Sequence, residues 1–584
     1  MLKAQFAIAR GDADQRRAIA ALQVATRPPY RGGHENALAQ IVMEDVCTVI
    51  AFETEIAPQL SLAARQTAEA AVHRWYWSYE ALPPGMAGDQ RLAELREQVQ
   101  KLALSFRDLV NADDDFVKFK VLVGFESVYS PAWVDKSFAY RESEAYRAAE
   151  VDRLVASVDK ASAAKWFDRV ARYARTESDD DATFPVFGKF LERLAAVQPA
   201  IVLNFIDQLE EPLANFLPGM LSGLLLSAES AQARQRVDLW LAAGKHIGRI
   251  GHYLRFVEQF DEALLHQVLG SAIQHDDKLG VRNALVAAVT QFEAHPGVLI
   301  DTVFVPALRF LAADQDFGWV RMSWFSWHNN PLIKALDEAQ ASIVLDALIP
   351  YPDIEDAAEE IAGLIAQRWP GLVIDFFGWR QEVSHSDRAP STFDAMPFDV
   401  HALKEPLAAV PELLLAGARK WFNEEPVHFP YDGGRLLASV FPGLGDGLEK
   451  EMWRLVQGGA VADLGFALAV LSAFEGKECV YALVRSIVAA DAFEGPLLEQ
   501  AHSVLRQSGV VAGAFGFAEL HDRRKALLEH WLDDASARVR AFAAEHIKEL
   551  EAGIASETRA AESSAAMRKL AHGEELTTDG PVPT

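Results

Sequence analysis

Several side chains in this sequence have the types and spacing that chemistry could use. Glu258, Glu262 and His266 recur every four residues, and Glu69 stands four before His73. A carboxylate and an imidazole so spaced on one helical face can share a cation. Glu499-x-x-His502 and Glu382-x-x-His385 have the spacing that di-iron bundles use, although such bundles draw further glutamates from two other helices. The second pair falls in an irregular stretch, which breaks the match. His275-Asp276 and His521-Asp522 are His-Asp dipeptides of the metal-phosphohydrolase kind, but no coherent set of further ligands surrounds them and both read as caps. In a chain with 16 His and 83 acidic residues such pairs arise by chance, so exposed ion pairing is their expected role and neither metal nor cofactor is assigned.

Nucleotide and nucleophile chemistry lack their parts as well. Ala242-Ala243-Gly244-Lys245-His246 has neither the upstream glycine nor the hydroxyl residue after Lys that a phosphate loop needs. Gly443-Leu444-Gly445-Asp446-Gly447 has no preceding strand and reads as a loop between helices. Ser384, His385 and Asp387 are neighbours in sequence, whereas a triad converges in space beside an oxyanion hole, and no G-x-S-x-G elbow is present. Cys47 and Cys479 sit in apolar helical patterns as small buried hydrophobes. No catalytic residue is assigned.

Two aromatic clusters remain. Trp75, Tyr76, Trp77 and Tyr79 form one; Trp319, Arg321, Trp324, Phe325 and Trp327 form the other. Each holds more rings than a single helical stripe buries, so either some face outward as partner anchors, with Trp75, Trp77, Tyr79, Trp319, Arg321, Trp324 and Trp327 as the candidates, or both helices are buried on two sides inside the stack. The basic runs Arg16-Arg17 and Arg523-Arg524-Lys525 are too short to track a phosphate backbone.

The elements that must position these residues read as helices throughout. From Glu519 to Gly553, Leu520, Leu527, Leu528 and Trp531 recur at helical spacing, and after the turn at 533–536 so do Val539, Phe542, Ala543, Ile547 and Leu550. Such a pair is antiparallel, capped by Asp or Ser, and amphipathic on both members, so it needs neighbours. An acid, a short turn and then Val-Arg opening a helix occurs three times: Asp277 to Val281-Arg282, Asp316 to Val320-Arg321, and Asp534 to Val539-Arg540. Here the Val drops between paired helices and the Arg can reach back to the acid. With Pro306 inside the helix before the second copy, this punctuation resembles HEAT-type helical repeats over Leu264 to Trp327 and Glu519 to Gly553. In texture the chain also resembles helical regions of large bacterial conflict-system proteins, including anti-phage sensors. These resemblances imply an all-α chain, an α-solenoid of antiparallel helix pairs of the HEAT/armadillo type with a separate amino-terminal helical block, whose exposed surface binds another protein.

Composition agrees with a folded chain. Half of the 584 residues are apolar, 24% are charged and mean hydropathy is +0.01. A net charge of −27 disfavours general nucleic-acid binding. Two cysteines are too few for a disulfide scaffold or a Cys₄ zinc site, and no window has the length of a membrane span, so a cytoplasmic protein with no membrane partner is expected. Composition shifts suggest an amino-terminal block over 1–115, repeats over 116–380, an irregular insertion with connecting helices over 381–440, further repeats over 441–555 and a mobile tail over 556–584. The leading expectation is a non-enzymatic scaffold or recognition protein, with a nucleic-acid-binding solenoid and a metal-dependent helical enzyme using Glu258 or His266 as the alternatives.

Overall fold

The computed structural model describes residues 6, 11–26, 36–82, 86, 88–124, 127–138, 140–178, 183–322, 328–386, 390–474, 477, 479–490, 493, 495–507 and 511–571. Among them the chain is all-α, with no strand. It divides at Ala287/Ala288 into two units, a boundary that falls inside one helix and matches none of the composition shifts.

The first unit comprises α1 (Asp12–Ala25), α2 (Asn36–Ile56), α3 (Leu62–Ser78), α4 (Gln90–Asn111), α5 (Asp114–Leu122), α6 (Tyr140–Ala156), α7 (Ala163–Ala174), α8 (Pro185–Val197), α9 (Pro199–Ile206), α10 (Leu217–Leu224), α11 (Ser230–Ala242), α12 (Ile247–Leu254), α13 (Glu262–Gln274) and most of α14 (Lys278–Gln291). In the second lie α15 (Val305–Ala313), α16 (Gly318–Arg321), α17 (Pro331–Ala335), α18 (Glu338–Leu348), α19 (Asp356–Ala366), α20 (Pro370–Ser384), α21 (Lys404–Ala408), α22 (Pro411–Glu424), α23 (Gly433–Val440), α24 (Gly445–Gly458), α25 (Val461–Ser472), α26 (Cys479–Ala489), α27 (Pro496–Arg506), α28 (Gly516–Glu529) and α29 (Ala537–Ala571).

Local chemistry sets the helix starts. Ser61 and Asp89 cap α3 and α4 by accepting the backbone N–H groups of Ala64 and Leu92, and Asp337 with Gln340 closes a reciprocal capping box on α18. Among the described residues six helices open on proline, whose missing N–H is no loss in a first turn: α8, α9, α17, α20, α22 and α27.

Packing in the second unit alternates. Helices α15, α18, α20, α22, α24, α26 and α29 follow one another as one layer, while α17, α19, α21, α23, α25 and α27 follow one another as the other. Each amphipathic helix therefore buries its stripe against a sequence neighbour and against the helix after next, the quasi-one-dimensional packing of helix-pair stacks. In the first unit α6, α8, α10 and α12 succeed each other in the same way. There Gly223 is required: a Cβ would stand 2.1 Å from the carbonyl oxygen of Glu192, where α10 crosses α8.

The three acid-turn-Val-Arg strings do one thing in common. Val281, Val320 and Val539 are all fully buried, and Asp277, Asp316 and Asp534 each accept a backbone N–H two or three residues on. Two of the arginines differ from expectation. Arg321 donates to the Tyr351 hydroxyl, and Arg540 reaches the carbonyl oxygens of Asp534 and Ala535, because the Asp534 carboxylate is already paired with Arg485. Pro306 lies in the first turn of α15, directly after a π-helical turn at Ile300–Phe304. Two expected boundaries move: α20 runs on to Ser384, and α29 continues to Ala571, through residues expected to be tail, with Ala561 buried.

Candidate partner-binding surface

Two of the aromatic residues singled out in the sequence, Trp75 and Trp319, are core. Trp75 is 8% exposed and Trp319 is 0% exposed, so neither ring can serve as a surface anchor. Trp77 and Tyr79 are half-buried. A short 3₁₀ turn, Ser130–Trp133, covers the α3 cluster: Trp77 Nε1 donates to the Ala132 carbonyl at 2.9 Å, and the Trp133 ring meets His73 at 4.9 Å and Tyr76 at 5.5 Å. Arg321 is exposed, tied to Tyr351 at 3.1 Å. Trp324 and Trp327 lie outside the described residues.

A different surface emerges in the second unit, built around the irregular segment after α20. Its foundation is Arg380, fully buried on α20. One nitrogen of its guanidinium donates to the carbonyls of Leu348, Ile349 and Tyr351 at 3.0, 2.7 and 2.6 Å; the others reach Ala395 at 3.1 Å and Asp394. Burial pulls this guanidinium down to about 10, with Asp394 and Asp353 opposing, so it stays charged at neutral pH. With Pro352 at 3.5 Å, six carbonyls, from the end of α18, the loop after it and the 394–395 strip, are thus met by one side chain.

Two further ties complete the frame. Arg435 on α23 bonds both Asp394 carboxylate oxygens, at 3.1 and 3.2 Å, and the Met396 carbonyl at 3.0 Å. Glu359, buried on α19, accepts the backbone N–H groups of His401 and Leu403 at 2.6 and 3.2 Å. Gly363 lets α19 approach this strip, since a Cβ there would meet the Ala402 carbonyl at 2.8 Å. Met396 and Val400 consequently sit in the core at 0% and 3% exposure, while Phe398 between them is 70% exposed under the Arg435 guanidinium, 5.4 Å from its ring centroid. Asp432, whose carboxyl is pushed up by burial while Arg435 and two histidines oppose, follows Tyr431, itself 70% exposed. His385 and His428 stand 6.2 Å apart beside it. The arrangement offers two exposed rings and a fixed guanidinium, the residue types that anchor interfaces.

The proposed chemical pairs largely disperse. Glu69 is buried against Lys120, whose ammonium also reaches Asn111 and the Val128 carbonyl, while His73 turns to Ala132 and Trp77. Glu258 precedes α13 in a bend and does not share a helical face with Glu262 and His266. His521-Asp522 lies in the middle of α28 and caps nothing, whereas His275 is the carboxyl-terminal cap residue of α13. Glu382 is in the last turn of α20 and His385 caps it, with Asp387 outside the described residues. Burial pushes the Cys47 thiol up to about 11, which leaves it inert, and Cys479 shifts the same way. Arg524, from the basic run, is buried and spent on the carbonyls of Arg506 and Gln507. One grouping was not read from sequence: His502 on α27 with His546 and Glu549 on α29.

Set against known protein families, characterised proteins and solved structures, the chain matches none. Among the described residues no helix is long and apolar enough to cross a membrane.

Proposed function

We propose that the chain is a non-enzymatic helical-repeat protein that binds another protein through the surface centred on Phe398, Arg435 and Tyr431. The observation that carries this reading is an exposed ring on a pinned backbone. Phe398 projects from a strip whose two flanks are core and whose carbonyls and amides are held by Arg380, Arg435 and Glu359. A ring so held loses little further freedom when a partner covers it, which is the condition under which buried aromatic area turns into affinity. The alternating layers of helix pairs supply the rigid support. The test is affinity capture of the full chain from its own host, with nuclease treatment, beside the double variant Phe398→Ala/Tyr431→Ala. A stoichiometric protein retained by the parent chain and lost by the variant is the expected outcome. Equal retention by both, or recovery of nucleic acid alone, overturns the reading.

A further inference from the structure

The carboxyl-terminal helices bring together three groups that the partner-binding surface does not use. His502 Nδ1 and His546 Nδ1 face each other at 2.8 Å, and one Glu549 carboxylate oxygen lies 3.9 and 3.6 Å from them. His546 is fully buried, His502 nearly so, and Glu549 is about half-exposed. His546 and Glu549 are one helical turn apart on α29, so they project from the same face toward His502 on α27.

We infer that His502, His546 and Glu549 form a site for one divalent transition-metal ion of the zinc class, clamping α29 to α27. Two imidazoles and a carboxylate are the donor set such borderline ions prefer. Metal–nitrogen and metal–oxygen bonds of about 2.0–2.2 Å in a tetrahedral site place neighbouring donor atoms about 3.3–3.6 Å apart, so the three atoms need move by only about half an ångström to converge on one ion. Opening the two imidazoles slightly and drawing the half-exposed Glu549 inward achieves this, and the Glu549 side gives an approach from solvent.

The surroundings favour ligation over a plain hydrogen bond. Burial holds both imidazoles below their ordinary range, His546 down to about 3, so protons do not compete for their lone pairs at neutral pH. A hydrogen bond between two neutral imidazoles uses a single proton. Phe542 stacks on His502 at 4.2 Å and lies 5.9 Å from His546, fixing both rings. The charged groups around the pair are Glu499, Glu545 and Glu549 against Arg506 and Arg524. Arg506 is itself paired with Glu499 and Arg524 with backbone carbonyls, so a divalent cation meets a nearly balanced field.

The experiment uses the full chain, stripped with chelator and titrated with Co²⁺ by visible absorption and with Zn²⁺ by calorimetry. One high-affinity equivalent is expected, with Co²⁺ bands of nitrogen–oxygen ligation. Glu549→Gln, at a half-exposed position that folding tolerates, should weaken that binding more than about tenfold. His502→Asn should abolish it, and a Glu262→Gln/His266→Asn control should leave it unchanged. Absence of a saturable equivalent, or an equivalent untouched by Glu549→Gln, overturns the site. The site is independent of the partner-binding proposal, because its readout is metal and not capture.

Discussion

Two aromatic regions of this chain look alike in composition and behave oppositely. At the end of α3 the rings of Trp75, Tyr76 and Trp77 are contiguous and Tyr79 caps the helix, and a helix turns successive side chains by about 100°, so some must point away from the main stripe. Trp75 is nonetheless buried and the other three are half-buried, with the 130–133 turn supplying Trp133 against Tyr76 and the Ala132 carbonyl to Trp77. Phe398 has no aromatic ring beside it in sequence, follows a proline, and is exposed while Met396 and Val400, two residues to either side, are held inside. Crowded rings therefore indicate a site where the fold provides a second cover. A single ring in a strip of irregular backbone faces solvent when polar anchors, rather than apolar contacts, decide where the strip runs.

The largest effect that tests this contrast is the removal of the anchor. Arg380→Ala strands the carbonyls of Leu348, Ile349, Tyr351, Ala395 and Asp394 in the interior, and should lower stability by at least about 4 kcal/mol in urea denaturation followed by circular dichroism. Partner capture should fall with it. A loss below about 1 kcal/mol would mean that the strip is ordered by apolar contacts after all. Next comes Trp75→Ala, expected at about 3 kcal/mol for the cavity it leaves, with capture by the folded fraction unaltered. Loss of capture from folded Trp75→Ala would move the interface to α3 and erase the contrast.

The α3 core also contains a group that it does not satisfy. Lys120 and Glu69 are buried together with every ligand in place, whereas Glu53, equally buried, makes no hydrogen bond among the described residues, although the Gln23 amide nearby favours its ionised form slightly. Burial pushes the Glu53 carboxyl up from 4.5 to about 8. The folded chain therefore keeps a proton that the unfolded chain releases. The resulting stability is fully present below pH 4.5 and is lost as pH rises toward 8. Glu53→Met should remove that slope, with a gain of about 3 kcal/mol at pH 7 and little at pH 4. Parallel stability–pH curves for parent and variant would show that Glu53 ionises freely in the fold.

Much of the architecture was legible because it rests on local rules. Capping acids, prolines at helix starts and the buried Val of each acid-turn-Val-Arg string follow from short-range chemistry, and so does the all-helical reading. The site was less legible, since its groups meet across long separations. Glu69 pairs with Lys120 51 residues away rather than with His73 four away. Glu499-x-x-His502 was visible, yet Glu499 binds Arg506 and the carboxylate nearest His502 comes from α29. One signal was present and unused: Arg380 continues the apolar stripe of Val373, Phe376 and Phe377 at helical spacing, and a lone arginine on a core stripe must find carbonyls or acids there. Trp319 gave no comparable warning, because a ring at a helix opening reads the same whether or not a neighbouring helix covers it.

The smallest stability effect separates the two regions most sharply. Phe398→Ala deletes a ring that is mostly in water and leaves the hydrogen bonds of Asp394, Met396, His401 and Leu403 in place, so stability should change by less than about 0.5 kcal/mol. Partner affinity, measured on the captured complex, should fall at least about tenfold, because an anchor ring closes a desolvated pocket when covered. The pairing of the two numbers is what matters. A core ring moves stability and leaves capture intact, whereas a presented ring does the reverse. If Phe398→Ala costs as much stability as Trp75→Ala, then Phe398 is packed in solution and the strip is an ordinary part of the core.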